Sequence, residues 1–105
     1  MTELEEQNLV FMINEDMEDF DEIDLLDAPI YTVLDSFFIF LIVHHNEKKV
    51  WIWQGERASI RKKFIATQKA PEIRDKYGID FKISAIDEGS EPTEFIKLIG
   101  SALSN

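Results

Sequence analysis

Residues 37–43 read FFIFLIV, seven apolar residues in unbroken succession. Seven residues cannot cross a bilayer, whose core needs about 20 in a helix. A strand with this composition has no polar face to turn to water. It should be the central strand of a sheet, buried on both sides. The next strand candidate, KKVWIWQG over residues 48–55, alternates instead. Val50 and Ile52 fall on one face, and Trp51 and Trp53 on the other. The intervening HHNE has the length and the asparagine of a hairpin connection. His44 and His45 are neighbours on a strand end, so they point to opposite faces and are not expected to share a metal.

The rest of the composition bounds the class. The chain has 105 residues, 45% of them hydrophobic, and no cysteine. That is one domain with enough apolar mass for a core without disulfides or thiolate zinc. The start, MTELEEQNLV, lacks the basic and then apolar order of a secretory signal, so a cytoplasmic protein without a membrane span is expected. Charge is unevenly placed. Residues 1–47 carry 13 acids and no lysine or arginine, whereas residues 48–105 carry all 11 basic residues against 8 acids. A formal net charge of −10 argues against nucleic acid as a partner, because such binding draws on phosphate neutralisation. The cluster RASIRKKF is either a solvated helix face or a meeting point for an acidic partner.

Elsewhere the chain predicts alternating elements. LVFMI over residues 9–13 is a strand, and DFDEID over 19–24 is an edge strand after an acidic loop. The loop is not a helix-loop-helix calcium site: counted from Asp16, the sixth position is Asp21 where a glycine is required. LLDAPIYTVLDS reads as a short helical turn or loop. Ser59 can cap a long helix, which Gly78 ends. At about 100° per residue, Ala66, Ala70, Ile73 and Tyr77 form its core stripe. Ile60, Arg61, Phe64, Gln68 and Asp75 lie roughly 120–220° away, so Phe64 should face solvent if Ala66 faces the sheet. Pro71 should kink or break this helix near Ala70. IDFKISAID, residues 79–87, reads as a strand. Gly89 then turns the chain, Ser90 can cap, Pro92 suits a first helical turn, and Phe95, Leu98 and Ile99 dock a short last helix.

Three stretches in this order carry a family likeness. VWIWQG resembles a hydrophobic strand ending in Trp, one residue and Gly. GERAS followed by KK is similar to a turn into a long helix, and DEGSEPTEF to a closing turn with Glu-Gly, Pro and Phe. Together with LLDAPIYTVLDS they make the chain resemble a single repeat of the gelsolin, villin and severin actin regulators. The resemblance implies an α+β domain over residues 8–100, with a five-stranded mixed sheet between a long helix and a short C-terminal helix. Residues 1–7 would be an acidic extension and 101–105 a tail. It also implies a binding protein, not an enzyme, consistent with the lack of a nucleophile and general-base pair.

Carried over residue by residue, the family's long-helix contact would fall on Ile60, Arg61, Phe64 and Gln68, with actin as partner and monomer binding, capping or filament modulation as the activity. One calcium site of the family uses a backbone carbonyl and the following Asp, matched here by Leu34 and Asp35. Its helix Glu, seven residues after the turn glycine, is Lys62 here. An ammonium cannot ligate a hard cation, so Asp35 is expected to be a remnant opposed by Lys62, without tight calcium binding. At the family's second site the matching position is Arg74, and no ligand carries over. Two other readings stay open: an adaptor that keeps the fold and lacks actin, and a phosphoinositide binder through Arg57, Arg61, Lys62 and Lys63.

Overall fold

The computed structural model describes residues 8–100. The expected extension over residues 1–7 and the tail over 101–105 lie outside the described residues. Five strands form one sheet: β1 (Leu9–Asn14), β2 (Asp19–Ile23), β3 (Ile39–His44), β4 (Lys49–Gln54) and β5 (Lys82–Asp87). Their order is β2-β1-β3-β4-β5, antiparallel throughout except for the parallel pair β4 and β5. Helix α1 (Ile60–Tyr77) makes the long crossover that a parallel pair requires. Helix α2 (Thr93–Ile99) closes the fold.

The unbroken apolar run becomes the centre of two cores. Ile39, Leu41 and Val43 point to one side, where they join Val50 and Ile52 of β4 and Ile65, Ala66, Ala70 and Ile73 of α1. Phe40 and Ile42 point to the other, with Trp51, Trp53 and the Phe95 and Ile99 of α2. The α1 stripe is wider than periodicity gave it, since Ile65 is buried beside the alanines. Both tryptophans are buried and pack on phenylalanines, Trp51 at 5.3 Å from Phe95 and Trp53 at 5.8 Å from Phe40. They are core residues.

Four local expectations need correction. The strand of the FFIFLIV run starts at Ile39, two residues late. The Asp35 carboxylate accepts from the Phe37 amide at 2.8 Å and the Asp35 carbonyl from the Phe38 amide at 3.0 Å. That turn leaves Phe37 outside the sheet. Strand β5 likewise starts late, at Lys82, because a turn from Gly78 to Phe81 precedes it and leaves Ile79 exposed. Ser90 does not cap α2; its amide closes a turn onto the Asp87 carbonyl at 2.9 Å, and Pro92 holds the cap position. Finally, α1 runs through Pro71 without a break. The carbonyl of Thr67 loses its helical donor, but Thr67 is exposed and water can replace it. Packing of the alanine stripe on the sheet holds the helix together on the other side.

An interior proline still costs a helix about 3 kcal/mol relative to alanine, of which roughly 1 kcal/mol returns through a stiffer unfolded chain. Pro71→Ala is therefore expected to stabilise the domain by about 1–2 kcal/mol in urea denaturation. Ala66→Asp should abolish cooperative unfolding, because it places a charge between α1 and the sheet without a partner.

Candidate functional site

The start of α1 is fixed by close backbone approaches. Gly55 follows β4, and a Cβ there would stand 2.2 Å from the Ser36 carbonyl oxygen and 2.6 Å from that of Phe38. Only glycine fits. Its amide donates to the Phe38 carbonyl at 3.0 Å, and the Arg57 amide to the Ser36 carbonyl at 2.8 Å. Glu88 closes the cluster: its carboxylate accepts from the Ser36 hydroxyl and from the Glu56 amide, both at 2.7 Å. Two turns are thus bound to the end of β5 through one side chain. Glu91 does similar work for the closing turn, accepting from the Trp53 indole at 2.8 Å and from the Gly89 amide at 3.1 Å. Gly89 itself has φ of 94°, in the left-handed region. Ser59 then caps α1 by accepting from the Lys62 amide at 3.1 Å.

From that start, α1 presents a free outer face. Ile60 is 84% exposed and Phe64 62%, one turn apart, and Gln68 continues the row, also exposed. All four residues picked from the sequence stand on this face, opposite the alanine stripe. Two large apolar side chains on one exposed helical turn exceed what folding requires. Arg61 is not a free contact as expected of a bare basic cluster. Its guanidinium lies 2.6 Å from the Glu18 carboxylate and 3.4 Å from that of Glu15, both in the β1–β2 turn. Two exposed apolar residues nearby in the fold escaped the sequence reading. Met17 at the apex of that turn is 70% exposed, and Phe37 is 53% exposed under the Arg57 guanidinium, 5.7 Å from its ring. Met17 stood out as the one apolar residue of NEDMED, but nothing local said that the turn reaches α1.

The remaining candidates are placed as follows. The Lys62 ammonium donates to the Phe37 carbonyl at 2.8 Å and sits 4.3 Å from the Phe38 ring centre. It reaches the segment of Asp35, two residues beyond the carboxylate it was expected to face. A cation is thus already built into this corner, bound to a carbonyl oxygen. Among the described residues no group of three acids, histidines or cysteines is arranged for a metal. His44 accepts from the Trp51 indole at 3.4 Å on the α2 side, and burial holds its pKa below the ordinary value. His45 packs edge-on to Tyr77 at 5.6 Å on the α1 side. Arg74 pairs with Asp75 at 2.7 Å. A concavity of about 990 Å3 lies away from these residues, between the segment after β2 and the end of α2, and among the described residues no lysine, histidine or hydroxyl side chain lines it.

Calorimetric titration checks the Lys62 corner. The wild-type chain is expected to bind no calcium at micromolar concentration there, and Asp35→Ala to change nothing. Lys62→Glu should gain a weak site, since it replaces the built-in cation with carboxylate oxygens. Micromolar binding by the wild type that Asp35→Ala abolishes would contradict the assignment.

A gelsolin-repeat family model matches residues 30–96. No curated protein sequence matches the chain. Two of the similar solved structures are complexes with actin. One is a chain of the Thorarchaeota ProGel/rabbit actin complex: 29% identity, TM-score 0.78, over 90% of this chain and 100% of that one. The other belongs to the Thorarchaeota 2DGel3/rabbit actin complex: 25% identity, TM-score 0.69, over 90% of this chain and 46% of that one, so the present chain spans about half its length. The family match includes β3, β4, α1, β5 and the start of α2, together with the Gly55 and Glu88 contacts that join them. With more than half of its residues covered, the chain belongs to the gelsolin-repeat family.

Proposed function

We propose that this domain is an actin-binding regulator that contacts actin through the outer face of α1. The observation that carries the reading is the pair Ile60 and Phe64, exposed on one turn of a helix whose opposite face is locked to the sheet. An amphipathic helix with anchors at i and i+4 is suited to an apolar cleft. Arg61 and Gln68 would border those anchors. The similar Thorarchaeota domains come from complexes with rabbit actin, which supports actin over an unspecified partner. The function is binding rather than catalysis, and an actin partner would put the protein in the cytoplasm. Among the described residues, no helix is long and apolar enough to cross a membrane.

The phosphoinositide reading is weaker on geometry. Of its four basic residues, Arg61 is held by two carboxylates and Lys62 by a backbone carbonyl. A net charge of −10 adds repulsion from an anionic surface. The adaptor reading has no observation in its favour beyond the fold itself.

Phe64→Asp is expected to leave the thermal melt near that of wild type, since the side chain is exposed. It should weaken actin binding at least tenfold, about 1.4 kcal/mol, because a carboxylate replaces an anchor. Co-sedimentation and pyrene-actin polymerisation, with and without chelator, measure the effect. A large loss of stability would put Phe64 in the core, and undiminished binding would remove α1 as the contact.

A further inference from the structure

We propose that the β1–β2 turn is a second arm of the same actin-binding surface, with Met17 as its contact and Arg61 as the positioning residue that holds it beside Phe64. The inference rests on the actin reading of α1. Met17 is a long thioether side chain at the apex of a turn whose other members are Asn14, Glu15, Asp16 and Glu18. It contributes little to folding from that position, and methionine adapts well to an apolar partner surface.

The turn has defined geometry. The Asn14 side chain accepts from the Met17 amide at 3.1 Å and donates to Asp21 at 2.8 Å. The Glu18 amide closes onto the Glu15 carbonyl at 3.2 Å, with Glu18 in the left-handed region at φ 53°. Glu15 and Glu18 flank the apex, and Arg61 grips both. On α1, Arg61 is the neighbour of Ile60 and stands three residues before Phe64, on their face. The clamp therefore sets the turn that carries Met17 beside the helical turn that carries the two anchors. Exposed ion pairs like these contribute little to stability. Their effect on where the turn sits exceeds their effect on whether the domain folds.

Charge narrows what lies opposite. Four carboxylates, Glu15, Asp16, Glu18 and Asp19, surround Met17, and Arg61 offsets one charge. The actin surface that receives the turn should be apolar under Met17 and basic at its border, so association should slow as salt rises.

Titration of the full chain and its variants against rabbit actin monomers tests this. Met17→Ser and Arg61→Gln are each expected to raise Kd about fivefold. Arg61→Lys should retain most of the affinity, because it still reaches a carboxylate. Combined, Met17→Ser and Arg61→Gln should be no weaker than either alone, since Arg61 acts through the turn. Thermal melts of these variants should coincide with wild type. Wild-type Kd in Met17→Ser, with affinity lost in Phe64→Asp, would overturn the second arm and leave the α1 reading intact. Unchanged Kd in both would overturn the α1 reading, and this inference with it. Additive losses would make Arg61 a direct contact and overturn its positioning role. A large drop in stability for Met17→Ser would assign that residue to the fold.

Discussion

Strand β3 must be covered on both faces, and the rest of the structure follows from that. With Ile39, Leu41 and Val43 on one side and Phe40 and Ile42 on the other, either face left open would expose several side chains worth about 1.5–3 kcal/mol each in burial. The chain meets this with two unequal helices. Helix α2 is short and fills its side with Phe95 and Ile99 beneath two tryptophans. Helix α1 is long and packs closely, with Ala66 and Ala70 against the sheet. Contact through one side of α1 leaves its outer turn unburied, so the surface available for binding is a consequence of how the core is closed.

The second constraint is the cluster of turns at the start of α1. Gly55 lets the chain after β4 touch the backbone before β3, and Glu88 binds both to the end of β5. Glu91 ties the next turn to Trp53. These residues belong to sequence stretches far apart, yet they are neighbours in space. That explains why the stretches are recognisable together: each supplies one partner of a shared set of hydrogen bonds. It also fixes the rotation of α1 about its axis, and hence which side chains face outward.

Actin recognition, as proposed, uses the outer face of α1 that this packing leaves exposed. Next to the Asp35 corner, the Lys62 ammonium donates to the Phe37 carbonyl at 2.8 Å. The acidic β1–β2 turn, in the sequence an acidic loop before an edge strand, is attached to the helix by Arg61.

The local periodicities of the sequence determined the two-faced strand, the split of Val50 and Ile52 from Trp51 and Trp53, and the phase that set Phe64 opposite Ala66. Each depends on residues a few positions apart, where backbone geometry alone dictates direction. Only the tertiary structure decided the rest. The exposure of Phe37 came from an Asp35 turn ahead of β3, and the continuity of α1 through Pro71 from packing that outweighs one lost hydrogen bond. The bond from Lys62 to Phe37 spans 25 residues and the pairing of Arg61 with Glu18 spans 43. No pattern of neighbours encodes such contacts, because they depend on where the sheet carries distant segments once both faces of β3 are covered.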